Sequence, residues 1–500
     1  MYVLAADLLQ AARFVRKAIL TASASILRSQ PLGLWLMKKN VIVCLTVLLI
    51  LGTALLVSLD ACANYNVTPL SLGKIKHVVI VIQENRTPDN LFHDPILIAR
   101  GADIASRGLS SSGAIVPLTP TSLAVTYDLD HTHSAFLEMY QGGRMNGADR
   151  VKVYCDVPPC PAAPAHAQFK YVQPSDVAPY FQMAEQYTFG DRMFQTNQGP
   201  SLPAHQFLFS GTSAPTSTSR LFVAENTNFG LNGGCNVPAW VTVDLIGPDG
   251  KESGSMYPCF EHPTMADELD AAGISWRYYA PNASSIWTAP SAIRHMCQPQ
   301  TKDGEPACTG ATWAEKVIMP SKKFLTDIQK GQLSTVTWIS PAGQYSDHPS
   351  DILGYGGPSW VAAIVNAIGH SSFWSDTAII VTWDDWGGWY DHVPPPKNIR
   401  DGRSWGSGYI YGFRVPLIVI SPYARATYIS HVNHDFGSIL NFIEQVFSLH
   451  SLGYADAHAD NLSDCFDFHQ TPLQFQTIPA PLDAEYFIND TSVPEDPDSD

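Results

Sequence analysis

Short apolar runs alternate along the chain with segments in which apolar residues recur at helical spacing. Residues 77–82, 378–383 and 415–420 are continuous runs rich in β-branched side chains, and such runs predict strands that are buried on both faces. Pro416 lies near the start of the third run, where a strand tolerates proline. Residues 274–279 predict a further strand.

Helices are predicted between these strands, at residues 264–272, 360–368 and 436–447. The first of them opens with Thr264 and Asp267, which is the pattern of a capping box. Strands that alternate with helices indicate an α/β fold around a mostly parallel central sheet.

The remaining segments predict the limits of one globular domain at residues 64–488. Residues 213–260 and 280–320 are rich in Gly, Pro, Ser and Thr, so we expect loop-rich insertions that shape a rim. Residues 489–500 are acidic and contain proline, and we expect a disordered tail there. Residues 1–63 form a separate N-terminal extension.

This extension contains the pattern of an export signal. A charged start at residues 37–40 precedes the apolar residues 41–59. Residues 61–63 (Ala-Cys-Ala) fit a signal-peptidase site, which would start the mature chain at Asn64.

Two tethered alternatives stay open. Cys62 follows a faint lipoprotein box in which Asp60 is an awkward fit, and residues 41–59 are nearly long enough for an uncleaved membrane anchor. Met37 is also a candidate start codon. We expect an exported protein, periplasmic or secreted, and favour cleavage over a tether through the N-terminal segment or a lipidated Cys62.

Cysteine usage agrees with export. Six cysteines fall into pairs that are close in sequence, namely Cys155 with Cys160, Cys235 with Cys259, and Cys297 with Cys308. An oxidising compartment would let these pairs close as disulfides and would leave Cys465 as the odd one out. A cysteine zinc site is the weaker alternative, because tight Cys-x2-Cys or His-x3-His spacing is absent.

Composition and charge exclude one class of partner. Apolar residues make up 45% of the chain and the net charge is -16, which describes an acidic globular protein. Nucleic acid is not an expected partner, because phosphate backbones are bound by clustered Lys and Arg.

Oxygen ligands follow two of the predicted strands. Glu84 and Asn85 come directly after the first strand, and Asp384 and Asp385 come directly after the second. Ligands in open α/β sheets lie beyond the carboxyl ends of strands, so these side chains could converge on one divalent ion. Ordinary strand-exit turns are the alternative.

Ser201 is the candidate nucleophile. It stands in Gly-Pro-Ser-Leu-Pro, at or near the N-terminus of a predicted helix with Pro203 in its first turn. Backbone N–H groups there suit a phosphoryl group, and a metal can activate a serine hydroxyl. A plain helix cap is the alternative.

Several histidines stand beside an acidic residue, among them His131 and His348, and His133 lies two residues after His131. Imidazole can donate hydrogen bonds to phosphoryl oxygens or protonate a leaving alkoxide. Surface or capping histidines are the alternative.

Five segments then carry a family resemblance in a fixed order. They are residues 75–92 (IKHVVIVIQENRTPDNLF), 176–212 with its DRMF and GPSLP sequences, 335–351 (TVTWISPAGQYSDHPSD), 377–396 (TAIIVTWDDWGGWYDHVPPP) and 412–423 (GFRVPLIVISPY). Together they resemble the phosphoesterase family of bacterial phospholipases C and acid phosphatases. The resemblance spans roughly residues 74–470.

The resemblance implies an alkaline-phosphatase-like α/β fold, with helices on both sides of a mostly parallel sheet. It also implies one divalent metal held by Glu84, Asn85, Asp384, Asp385 and Ser201, with Ser201 as the nucleophile. Hard oxygen ligands suit Ca, Mg or Mn, and mixed sites admit Zn or Fe.

The family's histidines map onto this chain less evenly. His348 matches the histidine of the family's Asp-His-Pro motif, and His131 matches another active-site histidine. His133 lies close enough to be confused with His131. His295 is a further candidate, in surroundings that are not distinctive.

The chain departs from the family pattern at two places. Asp384-Asp385 stands where the family often has Asp-Glu, which is conservative for a metal site. Residues 203–205 (Pro-Ala-His) stand where the family has Pro-Asn-Arg, which alters the helix beside the nucleophile.

The expected reaction is hydrolysis of a phosphoester through a phosphoseryl intermediate on Ser201, with His131 and His348 stabilising the phosphoryl oxygens. A phosphomonoester is the favoured substrate, as in acid phosphatases, and a phosphodiester lipid, as in phospholipases C, is the alternative. A catalytically silent, exported metal-binding protein is the alternative of another class.

The expected partner is a small-molecule or lipid phosphoester, with membrane contact only through the N-terminal segment or a lipid substrate. The sequence does not indicate an oligomeric state.

Overall fold

Strands and helices alternate along the part of the chain that the computed structural model describes, which comprises residues 73–155, 163–230, 232–349, 354–396 and 411–494. The strands are β1 (His77–Gln83), β2 (Arg107–Leu109), β3 (Ile115–Pro117), β4 (Thr119–Thr121), β5 (Asp128–Leu129), β6 (Val153–Tyr154), β7 (Lys170–Val172), β8 (Thr188–Phe194), β9 (Phe222–Thr227), β10 (Val243–Ile246), β11 (Glu252–Met256), β12 (Trp276–Tyr279), β13 (Pro299–Lys302), β14 (Glu305–Cys308), β15 (Val317–Ile318), β16 (Val336–Ile339), β17 (Thr377–Trp383), β18 (Arg414–Ile420), β19 (Tyr428–Ser430) and β20 (His434–Asp435). The helices are α1 (Pro88–Leu91), α2 (Pro95–Ala99), α3 (His133–Tyr140), α4 (Ala178–Gln186), α5 (Ser201–Ser210), α6 (Met265–Ala271), α7 (Arg294–Cys297), α8 (Ala311–Lys316), α9 (Lys323–Gln329), α10 (Gly356–Gly369), α11 (Phe436–Phe447) and α12 (Ala484–Asn489). Short 3-10 helices lie at Gln141–Gly143, Ala148–Arg150, Ala289–Ala292, Gly343–Tyr345, Ser372–Asp376, Ala455–Ala457 and Ser463–Cys465.

One large sheet forms the centre of the fold. Its strand order is β15-β12-β16-β1-β17-β18-β8-β19, and β20 also pairs with β8. β18 is antiparallel to both of its neighbours, whereas the other pairings in this sheet are parallel. The mixed, mostly parallel sheet that the sequence predicts is therefore confirmed.

The three buried apolar runs form the middle of this sheet. β1, β17 and β18 each match their predicted limits to within one residue, and the side chains of β17 and β18 are buried throughout. Only a strand with helices on both faces of its sheet excludes water from both sets of side chains, so the continuous apolar runs predicted these strands well. β12 begins at Trp276, two residues later than the pattern predicts.

Helices cover the two faces of the sheet, and the three predicted ones are present. α6 begins after Thr264, whose side chain forms the expected capping box with Asp267. α11 has the predicted limits and is capped by Asp435, and α10 begins four residues before the predicted start. Their apolar side chains pack with those of the strands in one hydrophobic core.

The two predicted insertions contain small sheets of their own. β9, β10 and β11 form a three-stranded antiparallel sheet within residues 213–260, and β13 and β14 form a hairpin within residues 280–320. The weak periodicity of these segments concealed the strands, because the strands are short and most side chains of β11 and β13 are exposed.

Two of the expected disulfides are present in the described residues. They join Cys235 to Cys259 and Cys297 to Cys308. The expected partner of Cys155, at position 160, lies outside the described residues. Cys465 is free and buried.

The two ends of the chain differ in what is described. The predicted export segment at residues 1–63 lies outside the described residues. No helix in the described ranges is long and apolar enough to cross a membrane. At the other end, residues 495–500 of the predicted tail lie outside the described residues. Within the described part of the tail, the backbone oxygen of Asp490 accepts a hydrogen bond from Lys322, and Gln344 donates one to Ser492 at 3.0 Å.

The capping box of α6 gives a prediction about stability. Thr264→Ala removes the hydroxyl that accepts from the Asp267 N–H at 3.3 Å, and loss of such a cap costs about 1 kcal/mol of unfolding free energy. Urea unfolding of the variant measures this loss, and Thr264→Ser, which keeps the hydroxyl, serves as the control. Equal midpoints for Thr264→Ala and the wild type would contradict the assigned cap.

Candidate active site

Four strands deliver polar side chains to one edge of the central sheet. β1, β8, β16 and β17 run in the same direction, so the segments that follow them emerge at a common edge. β1 and β17 are in register with Gln83 opposite Trp383, and the next residues, Glu84 and Asp384, therefore leave the sheet side by side. Both side chains are fully buried.

A histidine that the sequence did not assign to the site faces these two carboxylates. His205 Nε2 lies 3.4 Å from Glu84 Oε1 and 3.7 Å from Asp384 Oδ2, and the three ligand atoms lie within 4.8 Å of one another. Burial lowers the pKa of His205 to about 4, so the ring is neutral near pH 7. Neutral imidazole and carboxylates together form a divalent-metal ligand set.

Asn85 links the two strand ends. Its backbone is left-handed, with φ of 62°, and its N–H donates to Asp384 Oδ1 at 3.1 Å. Its side-chain amide donates to His131 Nε2 at 3.0 Å, while His131 Nδ1 donates to the Leu129 carbonyl at 2.8 Å. These bonds fix the position of the His131 ring in the site.

Ser201 and Asp385 meet at the same edge. The Ser201 hydroxyl donates to Asp385 Oδ2 at 3.2 Å, and the other carboxylate oxygen of Asp385 accepts from the Gly387 N–H at 2.7 Å. Gly387 has φ of 57°, and a Cβ atom there would lie 2.2 Å from the backbone oxygen of Asn85. Only glycine fits this turn, which fixes the carboxylate that faces the serine.

Ser201 and His205 lie on one face of the same helix. Ser201 is the first residue of α5, after Pro200 at the cap position, as the sequence predicts. Residues four apart on a helix are neighbours, and this spacing is the signal that could have identified His205. The N–H of Leu202 already bonds to Asn226 at 2.9 Å, so not all of the N–H groups of the first turn can receive a phosphoryl group.

A second histidine and a tryptophan border the site. The rings of His348 and His131 are 6.2 Å apart, and the Trp287 ring lies 6.4 Å from those of both His348 and His205. His348 Nδ1 donates to the Pro349 carbonyl at 2.8 Å. The neighbouring Asp347 is held by the Tyr180 hydroxyl and by the Trp383 indole. The structure thus brings His348 to the same cluster as His131.

The other two predicted histidines are placed differently. His133 begins α3, where its ring stacks on Phe136 and its backbone N–H donates to Glu225 at 2.9 Å. His295 directs both ring nitrogens at acids, with Nδ1 2.8 Å from Glu261 and Nε2 3.1 Å from Asp267. These contacts hold His295 in an ion-pair cluster, so the expectation that it joins the site is not supported.

The polar atoms at this edge fit a bound cation. Asn85 Oδ1, Asp384 Oδ2 and both ring nitrogens of His205 are buried and make no hydrogen bond to the described residues. Buried polar atoms are costly unless they are paired. A divalent ion among these atoms would satisfy the oxygens and the Nε2 atom together. Glu84, Asn85, Asp384 and His205 are therefore the residues that could hold it, with Asp385 and Ser201 beside them.

A second group of buried acids, Asp89 and Asp391, is paired with the positively charged Arg414. Arg414 Nε lies 3.0 Å from Asp391, and its Nη2 atom lies 3.3 Å from Asp89. His392 Nδ1 is 2.7 Å from Asp89. Because the guanidinium already neutralises these carboxylates, the group anchors the segment after β17 to the start of β18.

The position of His205 predicts its effect on metal binding. His205→Ala removes the imidazole ligand, and we expect metal affinity to fall roughly tenfold or more, since even outer-shell changes cost about 10–100-fold. Metal titration of the chelator-treated protein measures the effect. His295→Ala is the matched control and should bind like the wild type. Unchanged affinity in His205→Ala would remove His205 from the ligand set.

The His295 cluster predicts a pH dependence of stability. The hydrogen bond to Asp267 raises the pKa of His295 to about 9, and Glu261 contributes to the shift. Because the folded pKa lies above that of an unfolded histidine, about 6.5, the stabilisation is full below pH 6.5 and is lost as the pH rises through about 9.

Melting temperatures across this pH range check the prediction. The difference between the wild type and His295→Gln should be largest below pH 6.5 and should vanish above about pH 9. His450→Gln is the control, because the His450 side chain is 98% exposed. A difference that is constant from pH 6 to pH 10 would contradict the ion pairs.

Comparison with known proteins places the chain in a family. A model of the phosphoesterase family matches residues 75–450. A non-hemolytic phospholipase C of Pseudomonas aeruginosa is 26% identical over 76% of this chain and 55% of its own length. Phospholipase C A of Mycobacterium tuberculosis is 24% identical over 81% of this chain and 79% of its own length. The chain thus spans about half the length of the Pseudomonas relative.

Likeness to solved structures is weaker. A protein of the alkaline phosphatase superfamily from Vibrio parahaemolyticus shares 11% identity, with a TM-score of 0.31 over 78% of this chain and 71% of that protein. The family match at residues 75–450 contains all five motifs. The chain belongs to the phosphoesterase family, as the order of its motifs predicts.

Proposed function

We propose that this phosphoric ester hydrolase cleaves its substrate through Ser201. The observation that carries the proposal is the 3.2 Å hydrogen bond from the Ser201 hydroxyl to Asp385, at the edge where Glu84, Asp384 and His205 converge. A nucleophile, a carboxylate that accepts its proton and a set of metal ligands are the parts that phosphoryl transfer requires.

Ser201 acts first. Its oxygen attacks phosphorus opposite the leaving oxygen, a serine–phosphorus bond forms, and the bond to the leaving alkoxide breaks. The hydroxyl proton leaves along the existing hydrogen bond to Asp385 Oδ2. Water then attacks the phosphoseryl group, and Ser201 is regenerated as phosphate or a phosphate monoester departs.

Two histidines serve the phosphoryl oxygens and the leaving group. The Nδ1 atoms of His131 and His348 are both bonded to backbone carbonyls, at 2.8 Å. Each ring is therefore oriented. His131 Nε2 accepts from the Asn85 amide, so the proton for the leaving alkoxide comes from Nε2 of a protonated His348, and the water that hydrolyses the phosphoseryl group returns it.

The metal is assigned to Glu84, Asn85, Asp384 and His205, with Asp385 and Ser201 beside it. A divalent ion bound there supplies the positive charge that lowers the pKa of the serine hydroxyl and offsets the charge of the transferring phosphoryl group. The buried Asn85 Oδ1 and Asp384 Oδ2 atoms support the assignment, because each lacks a hydrogen bond to the described residues.

A phospholipid is the substrate that the relatives favour. The sequence resemblance favours a phosphomonoester because the nucleophile is serine, but the Pseudomonas and Mycobacterium relatives are both named phospholipases C. A non-specific phospholipase C1 of Arabidopsis thaliana is also 25% identical over 80% of this chain and 73% of its own length. We therefore propose phosphodiester cleavage at a lipid head group, with phosphomonoesters as the second candidate.

Export to an oxidising compartment is part of the proposal. The disulfides Cys235–Cys259 and Cys297–Cys308 support it, because disulfides persist mainly outside the reducing cytosol. The apolar residues 41–59 supply the signal for export.

The nucleophile is tested by removing its hydroxyl. Ser201→Ala should lower turnover of an aryl phosphate or an aryl phosphocholine by roughly 10⁴-fold or more, while circular dichroism and the melting temperature stay close to those of the wild type. Ser210→Ala is the matched control, since Ser210 is a buried serine at the other end of the same helix. Wild-type turnover in Ser201→Ala would overturn the assignment.

Acid quench and a substrate pair separate the remaining possibilities. Radiolabelled phosphate should be trapped on Ser201 in the wild type. Absence of trapping and of turnover, in metal-loaded protein, would favour a catalytically silent metal-binding protein instead. Faster release of phosphocholine from a choline phospholipid than of phosphate from an aryl phosphomonoester supports the phospholipase assignment, and the reverse order supports the phosphatase.

A further inference from the structure

A second group of metal-ligating side chains lies at the far edge of the central sheet. Its residues are His434 at the start of β20, and Asp464 and Cys465 in the 3-10 turn at Ser463–Cys465. β20 pairs with β8, so the sheet fixes the backbone of His434. The group shares no residue with the phosphoester site.

The three ligand atoms form a small triangle. His434 Nε2 lies 3.6 Å from Asp464 Oδ1 and 4.0 Å from Cys465 Sγ, and Cys465 Sγ lies 3.7 Å from Asp464 Oδ1. Zinc bonds of about 2.0–2.3 Å at tetrahedral angles place such ligand atoms about 3.3–3.6 Å apart. Shifts of a few tenths of an ångström would bring all three atoms to bonding distance of one ion.

The histidine is oriented in the way that metal-binding histidines are. Its Nδ1 atom lies 2.9 Å from Asp460 Oδ1, and Asp460 is itself held by the Ser438 hydroxyl and by the Leu462 N–H. A carboxylate on Nδ1 fixes the tautomer and directs the Nε2 lone pair at the metal. The His434 side chain is fully buried, and Cys465 is buried too.

Ser430 lies beside the three ligand atoms. Its hydroxyl is 3.0 Å from His434 Nε2 and donates to Asp464. The alternative to a bound metal is therefore a hydrogen-bonded network of Ser430, His434 and Asp464.

Cysteine chemistry also separates this group from the rest of the chain. Cys465 is the free cysteine among the described residues, whereas Cys235, Cys259, Cys297 and Cys308 form disulfides. Thiolate, imidazole and carboxylate ligands together suit Zn²⁺, whereas the oxygen-rich set at Glu84 and Asp384 suits harder ions as well. We propose that His434, Asp464 and Cys465 bind a structural Zn²⁺ ion that ties the turn at residues 463–465 to the edge of the sheet.

Cobalt substitution of the full-length protein tests this site, because it reports thiolate ligation directly. The ligands of the phosphoester site include no cysteine, and Cys465 is the free cysteine of the described residues, so a thiolate-to-cobalt charge-transfer band in the near ultraviolet that Cys465→Ala abolishes arises from this site. We expect this band in the wild type, with one equivalent of bound Co²⁺ competed by Zn²⁺. We also expect it in Asp384→Asn, in which the phosphoester site is impaired.

Two variants complete the test. Cys465→Ala should lose the band and one equivalent of metal while it keeps most of its phosphoester turnover, and Asp464→Asn should weaken Co²⁺ binding at this site at least tenfold. Asp464 is 24% exposed, so this second variant keeps the test decisive if Cys465→Ala does not fold. Cobalt-treated wild type without the band, or the same band in Cys465→Ala, would overturn the proposal.

Discussion

The parallel register of β1 and β17 is the constraint on which the candidate site depends. It sets Gln83 beside Trp383, and Glu84 and Asp384 therefore leave the sheet as adjacent, fully buried carboxylates. Removing a carboxylate from water costs several kcal/mol unless positive charge and hydrogen bonds offset the loss. The left-handed Asn85 and the glycine at position 387 both serve this arrangement, because they turn the chain so that N–H groups meet the acids.

The two buried acidic groups at this edge receive different counterparts. Asp89 and Asp391 face the guanidinium of Arg414, which is always charged and cannot ligate a metal. Glu84 and Asp384 instead face the neutral ring of His205, where the family pattern has an arginine. The first group is thereby a fixed anchor, whereas in the second group Asp384 Oδ2 and His205 Nε2 make no hydrogen bond to the described residues, as the ligands of a cation would.

Local pattern predicted the strands better than it predicted the site. β1, β17 and β18 were evident because burial on both faces leaves an uninterrupted apolar run, whereas Gly190, Asp191 and Arg192 interrupt β8 and hide it. The antiparallel direction of β18 depends on partners that are distant in sequence, so its own residues cannot reveal it.

The histidines show the same limit, because a local pattern does not reveal which side chains meet after folding. Family motifs led to His131 and His348, which the structure brings together. The family pattern identifies His205 only as a departure from a motif, although its spacing of four from Ser201 is visible in the sequence. The sequence alone does not place His295, because Glu261 and Asp267, which contact its ring, approach it only in the folded chain.

The reversed strand β18 has a consequence for how the candidate site is held. It starts at the edge where its neighbours end, so the chain leaves the sheet after Asp384 and returns at Arg414 on the same side. Arg414 lies there 3.0 Å from Asp391, and this ion pair ties the segment after Asp384 and Asp385 to a second strand. Loss of the pair would therefore loosen the candidate ligands without touching any of them.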